Sequence, residues 1–255
     1  MAQADSGPDF SHADKIPGRT PSPATHNAVQ QMFDRIAPRY ALLNHILSFG
    51  LDFFWRRRLA EHLEKGRPVE LLDLGTGTGD LLISMLRRRD NIEKAVGLDI
   101  SENMLALCRR NIERSNLSDR VTLVQGDAAR TALPDGGFDV VTMAFGIRNV
   151  PDPVQALSEI YRLLRQGGKA LILEFSLPAN RIIRSLYLVY LRHVVPFVGC
   201  LVSRDKTAYC YLKTTIESFC RKCDLPVLMQ EAGFSNISTK PLTFGTVSLY
   251  SALKP

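Results

Sequence analysis

Val69-Glu-Leu-Leu-Asp-Leu-Gly-Thr-Gly-Thr-Gly-Asp80 is the stretch on which the reading of this 255-residue chain turns. The apolar run Val69 to Leu74 is followed by glycines at alternate positions, Gly75, Gly77 and Gly79, and then by Leu81, Leu82 and Met85 at helical spacing. This order predicts a buried parallel strand, a tight turn and the start of a helix. Glycines suit a reversal at which a ligand must touch bare backbone. The amides at the helix start are then aimed at that ligand. A second short apolar run, Ala95-Val-Gly-Leu-Asp99, ends in a carboxylate 20 residues past Gly79. At the end of the second strand of a doubly wound sheet, a carboxylate grips the hydroxyls of a ribose. A simple structural turn would account for the glycines but not for Asp99 at this distance. The predicted ligand is a nucleoside-bearing cofactor.

The spacing distinguishes among such cofactors. A nicotinamide site calls for G-x-G-x-x-G, whose third glycine would fall at Asp80. The chain has G-x-G-x-G instead, with Asp73 two residues before the first glycine. This pattern resembles the Asp-x-Gly-x-Gly-x-Gly signature of class I S-adenosylmethionine methyltransferases.

Composition bounds the rest. A hydrophobic content of 45% supports a sizeable core, and the net charge of +6 is modest. The basic runs Arg56 to Arg58 and Arg87 to Arg89 follow apolar helical positions, so they read as solvated helix faces. The sharper reading is a weak attraction to an anionic membrane or substrate. Nothing points to nucleic acid. Five cysteines without regular spacing fit a reducing compartment, and Cys220-x-x-Cys223 lacks the further ligands of a metal site. The first 26 residues, with four prolines before residue 25 and no apolar core, read as a disordered leader rather than a signal peptide.

From Asn27 onward, Val29, Met32, Phe33 and Ile36 predict a helix ending at Pro38. An aromatic segment follows, through Phe49, Phe53, Phe54 and Trp55, and residues 27–66 read as a helical cap. That cap is a packing layer on the core, a lid over an apolar ring, or both. Past the glycine loop the chain alternates as βαβ units. The expected strands are Lys94 to Asp99, Val121 to Gln125, Phe138 to Phe145 and Lys169 to Phe175. A helix over Val154 to Leu164 is expected to stop at Gly167-Gly168. Two final strands fall at Asn236 to Lys240 and Thr246 to Tyr250. Residues 178–226 form an apolar insertion after strand five, either core packing or the wall of a lipid-tail channel. Charges and Pro196 exclude a spanning helix there. Ser203 to Tyr211 reads as a loop. The groups expected beyond the strand ends are Gly75 to Gly79, Asp99, Asp127 with Ala128, Arg148 with Asn149, and Glu174. Asp127 reads as an adenine contact or as a turn-forming Asx residue.

From residue 27 onward the chain resembles the quinone-biosynthesis C-methyltransferases that act on demethylmenaquinone and 2-polyprenyl-6-methoxy-1,4-benzoquinol. The segments carrying the resemblance are Met32-Phe-Asp-Arg-Ile-Ala-Pro-Arg-Tyr40, Leu71 to Asp80, Phe145-Gly-Ile-Arg-Asn-Val150, Leu173-Glu-Phe-Ser176 and Glu231-Ala-Gly-Phe234. It implies a class I methyltransferase fold, a Rossmann-like, mostly parallel seven-stranded sheet with helices on both faces. It implies S-adenosylmethionine as cofactor, contacting Thr78, Asp99, Asp127 and Ala128 beside Gly75 and Gly77. It implies C-methylation of a polyprenylated quinol, demethylmenaquinol before a benzoquinol, in menaquinone or ubiquinone biosynthesis. The location it implies is the cytoplasm or the inner membrane surface, in a homo-oligomer or a biosynthetic assembly. Three positions depart from the family's habit: Ala144 for a serine, Phe53 for a basic residue, and Ser248-Leu249-Tyr250 for Ala-Leu-His. Carbon methylation of a quinol needs a group that stabilises or accepts from its hydroxyl. No paired carboxylates or Cys/His couple show at the strand ends, so Arg148 is the expected oxyanion partner and Asn149 the ring-orienting group. An ion pair of Arg148 with Asp152 or Glu174 is the competing reading; His193 and Tyr209 are further candidates. Other readings of the chain are a methyltransferase for another apolar small molecule, a nicotinamide oxidoreductase and a catalytically inert scaffold.

Overall fold

A computed structural model describes residues 23–198 and 206–255, apart from the side chains of 23–28, 38–41 and 206–210. The expected leader therefore lies outside the described residues up to residue 22, and the first helix, α1 (Pro23–Leu47), begins before that leader's predicted end. The helix does not stop at Pro38. Met32 and Leu43 lie three turns apart on one face and are both buried in one cluster. That continuous packing stripe outweighs the local cost of proline. α2 (Leu51–Ala60) follows a left-handed Gly50.

Strand β1 (Val69–Leu74) is buried on both sides because its residues feed two cores. Leu71 joins the helices α2 and α3 (Asp80–Arg88) on one face, with Trp55, Leu82 and Met85. Leu72 and Leu74 join the other face. The strands are β2 (Ile92–Asp99), β3 (Val121–Gln125), β4 (Phe138–Ala144), β5 (Leu164–Phe175), β6 (Ser235–Leu242) and β7 (Val247–Leu253), in the order β3-β2-β1-β4-β5-β7-β6. The pairs from β3 to β5 are parallel; β7 is antiparallel to both β5 and β6. The order reverses between β1 and β4, and the crevice for a ligand in an open α/β sheet opens there, beyond the strands' carboxyl ends.

The connecting helices start at capping side chains. Ser101 accepts from the Met104 amide at the start of α4 (Glu102–Arg114), and Asp152 accepts from Gln155 at the start of α5 (Pro153–Leu163). Gly167-Gly168 does not end α5. The chain turns extended at Leu164, and the glycines lie inside β5, where a pairing irregularity with β4 and a left-handed Gly167 bend the strand.

A third cluster covers the crevice. Met32 and Leu43 of α1 pack with Leu191 of the one-turn π-helix Tyr190–Val194, with Val195, and with Ile216 of the helix Lys206–Lys222. The π-turn continues α6 (Arg181–Val189). The expected loop through Tyr211 is helical from Lys206, and the helix buries Ile216 against the cap cluster and Phe219 against the core beside the sheet; residues 203–205 lie outside the described residues. No helix among the described residues is long and apolar enough to cross a membrane.

Candidate active site

The glycine loop is held open by its own conformation and by Asp99. Gly75, Gly77 and Gly79 all have positive φ, a region that L-residues with side chains seldom adopt. A Cβ on Gly79 would lie 2.6 Å from Cys108 Sγ, while a Cβ on Gly75 would meet no atom and project into open space. Asp99 accepts the Gly77 amide at 2.8 Å and the Ser101 amide at 2.9 Å. The carboxylate therefore ties the loop after β1 to the loop after β2. Burial pushes its pKa up, against the amide hydrogen bonds that favour the ion. Asp73, fully enclosed behind the loop, is pushed up to about 6 by burial, although it accepts from Thr142 Oγ1 at 2.7 Å.

Gly75, Gly77, Asp99, Asp127, Ala128 and Asn149 line one cavity at the switch point. Asp127 makes the expected Asx turn, accepting from Ala129 N at 2.9 Å, and also lines this cavity. Thr78 is buried with its hydroxyl on Asp80 at 2.9 Å and is absent from the lining of this cavity. Val29 and Phe33 of α1 close the cavity from above. α1 is anchored there by Gln30 on the Ile100 carbonyl at 3.1 Å and by a short Ser101–Asp34 hydrogen bond.

A second cavity of about 290 Å³ adjoins the first and shares Phe33, Phe145 and Asn149 with it. Its walls come from the cap (Leu43, Leu47, Trp55), the insertion (Tyr187, Leu191, Ile216) and the strand ends (Phe145, Phe175). Phe145 packs 4.7 Å from Phe175 between ring centroids and 5.8 Å from Trp55, so three aromatics form a box. Trp55 is fixed by its indole N–H on Thr243 Oγ1 at 2.7 Å. Residues of α1 and α2 thus both pack into the core clusters and line this cavity.

Arg148 and Asn149 sit in the 3₁₀ turn after β4, reached through a left-handed Phe145. Arg148 Nη1 lies 2.8 Å from Glu174 Oε1, donates to the Phe145 carbonyl at 2.6 Å, and its guanidinium rests 5.1 Å over the Phe175 ring. Of the two expected ion-pair partners it takes Glu174, not Asp152, while still lining the second cavity. Asn149 donates to the Phe145 carbonyl at 3.2 Å and faces both cavities. His193 is exposed on the π-turn, and the side chain of Tyr209 lies outside the described residues. Cys220 and Cys223 are free thiols whose pKa values are raised by burial.

The tertiary structure adds a group that the sequence reading missed. Asn44, Ser48, Asp52 and Arg56 give the otherwise apolar second cavity a polar patch. The one local signal was Asp52 and Arg56 at i,i+4 on a short helix, both buried.

Comparison with known proteins agrees with this geometry. A model of the ubiE/COQ5 methyltransferase family matches residues 22–254. The demethylmenaquinone methyltransferase of Thermus thermophilus is 43% identical over 88% of this chain and 100% of its own length. That of Bacteroides fragilis is 39% identical over 89% and 92%. Among solved structures, an S-adenosylmethionine-dependent methyltransferase of Thermotoga maritima superposes with a TM-score of 0.58 at 18% identity, covering 89% of this chain and 100% of that one. A Haemonchus contortus phosphoethanolamine N-methyltransferase, solved with S-adenosylhomocysteine, gives 0.63 at 17% identity over 89% and 60%. These structures share the class I methyltransferase fold.

Proposed function

The chain belongs to the ubiE/COQ5 methyltransferase family, and from that premise we propose C-methylation of a polyprenyl quinol, demethylmenaquinol, with S-adenosylmethionine as cofactor. The observation that carries this reading is the junction of the two cavities. One has acidic strand ends and bare glycine backbone; the other is aromatic and apolar, and they meet at Phe33, Phe145 and Asn149. The residues fit the cofactor, because a Cβ at Gly75 would occupy the space that the loop leaves open. Asp99 would hold the ribose, Asp127 and Ala128 the adenine edge, and Gly75 and Gly77 the backbone approach. Thr78 acts from behind the loop. Bound S-adenosylmethionine supplies a methyl group already activated on a sulfonium.

What remains for the protein is alignment of the ring carbon and control of the quinol hydroxyl. Alignment supplies much of the rate. Phe145, Phe175 and Trp55 stack the ring, and Asn149 orients it at the junction. Arg148 lowers the hydroxyl pKa and stabilises the oxyanion as it develops. Residues 27–66 act as the cap, and 178–226 as the insertion, of one methyltransferase domain. The exposed outer face of α6, with Ile182 73% and Leu186 67% exposed one turn apart, meets the membrane surface in which the prenyl tail dissolves. Arg181 and Arg184 on the same helix suit anionic headgroups.

Labelled cofactor incubated with the reduced and the oxidised naphthoquinone head group tests the reading. Only the reduced ring has a nucleophilic carbon, so label enters the quinol alone. Equal labelling of quinone and quinol would refute it.

A further inference from the structure

Replacing an aromatic hydrogen by a methyl group releases one proton per turnover, and the second cavity is walled mainly by apolar side chains. The proton needs an exit. The polar patch from the α1–α2 corner supplies one. Asp52 is only 2% exposed and lines the cavity. Its Oδ1 accepts from Ser48 Oγ at 2.9 Å. Its Oδ2 lies 2.5 Å from His45 Nδ1 and also takes a short bond from Arg56. His45 is part-exposed, 28% by side chain, with its ring stacked 4.4 Å from Phe53. One carboxylate therefore touches the buried cavity on one side and, through an imidazole, the solvent on the other.

Accepting the quinol reading above, we infer that Asp52 takes the substrate's hydroxyl proton and His45 carries it out to water. The substrate O–H bond breaks, its electron pair stays on the ring oxygen, and the proton forms a bond to Asp52 Oδ2; when the ring carbon takes the methyl its C–H bond breaks and that proton returns to the ring oxygen, so one proton per turnover is left on Asp52. With His45 as its Nε2–H tautomer, that proton passes from Asp52 Oδ2 to Nδ1, the imidazolium releases its Nε2 proton to solvent, and exchange with water restores the starting tautomer. Neither residue suffices alone. Burial would push the Asp52 carboxyl up, but the Arg56 charge, hydrogen bonds from Arg56 and Ser48, and His45 together hold it below the usual carboxylate range. A carboxylate so stabilised passes a proton on readily but stores it poorly, and the imidazole behind it completes the transfer. Arg56, reaching toward Asp80 at 3.7 Å, keeps the carboxylate ionised and fixed between transfers. Arg148, in its ion pair with Glu174, serves the oxyanion and not the proton.

The test compares the wild-type chain with Asp52→Asn and His45→Gln in single turnover. Two reduced head groups are used: demethylnaphthoquinol, and the same ring with an electron-withdrawing substituent that makes its hydroxyl more acidic. Asp52→Asn is expected to slow the plain quinol about 10²–10³-fold, the scale of a lost general base. His45→Gln is expected to slow it about tenfold. On the acidic quinol the Asp52→Asn deficit, as a ratio to wild type, shrinks about tenfold or more and the His45→Gln deficit falls to about none, because an acidic hydroxyl needs less help to ionise. S-adenosylmethionine affinity by calorimetry stays within about twofold. A merely structural role slows both quinols equally, and that result overturns the inference, as does a folded Asp52→Asn within about threefold of wild type. Should Asp52→Asn not fold, His45→Gln at the solvent edge decides by the same ratio. Wild-type turnover of the plain quinol is a separate readout: its absence would refute the quinol reading, whereas unchanged ratios refute only the relay.

Discussion

Removing Arg148 separates its catalytic work from its structural work, because its partner is so deeply buried. Glu174 is fully enclosed, and truncating Arg148 to Met leaves that carboxylate without its countercharge. Breaking a buried pair from one side costs about 3–5 kcal/mol. For a domain of this size about 2–4 °C of Tm is lost per kcal/mol, so Arg148→Met melts roughly 6–20 °C lower. The double variant Arg148→Met with Glu174→Gln removes both charges, and the glutamine carbonyl still accepts the Phe175 amide that Glu174 holds at 2.8 Å. Its Tm should return most of the way. Its rate should not: loss of one oxyanion donor costs about 10²–10³-fold in turnover, with kcat and kcat/KM falling together and cofactor affinity unchanged. Arg148→Lys should recover part of the rate, since an ammonium keeps the charge but lacks the planar guanidinium that rests over the Phe175 ring. Differential scanning calorimetry and single-turnover labelling, run well below every melting point, give both numbers. A double variant that regains wild-type turnover along with its stability would reduce Arg148 to a structural cation and remove it from the mechanism.

Three further outcomes are expected. Asp99→Ala removes the acceptor for the Gly77 and Ser101 amides as well as the ribose contact, so S-adenosylmethionine binding should weaken by about 1.5–3 kcal/mol or more in calorimetry; an unchanged Kd would show that the loop holds its shape without it. Asp73, raised from 3.8 to about 6 by burial, binds its proton more tightly folded than unfolded. Its contribution therefore falls as pH rises from about 4 to about 6, by about 3 kcal/mol in all, and Asp73→Asn should flatten that part of the urea stability profile relative to wild type. Ile182→Asp with Leu186→Asp should abolish flotation with vesicles containing anionic lipid while sparing turnover of a tail-less quinol, and persistent flotation would place the membrane contact elsewhere.

The glycine loop and the strand alternation were legible in the sequence because each rests on residues within one turn or one strand of each other, and Asp99 because it ends the next apolar run, 20 residues past Gly79. Periodicity, a capping side chain and a positive-φ glycine are local matters. Where local signals conflicted with packing, packing won. α1 runs through Pro38 because Met32 and Leu43 share a buried stripe, and Gly167-Gly168 bends β5 rather than ending α5. Glu174 and Asp152 were equal partners for Arg148 by sequence. The β4–β5 register decided between them, pairing Ala144 with Leu173 and placing the turn after β4 over Glu174. Trp55 read as part of a lid and Asp52 with Arg56 stood at i,i+4, but nothing in the sequence joined Trp55, Phe145 and Phe175 into one box or set the polar patch around Asp52 beside it. Their members become neighbours of the cofactor loop only when the cap docks over the switch point of the sheet. Contacts between residues 90 to 120 positions apart are set by strand order and by which helix faces are apolar, and no spacing along the chain encodes them.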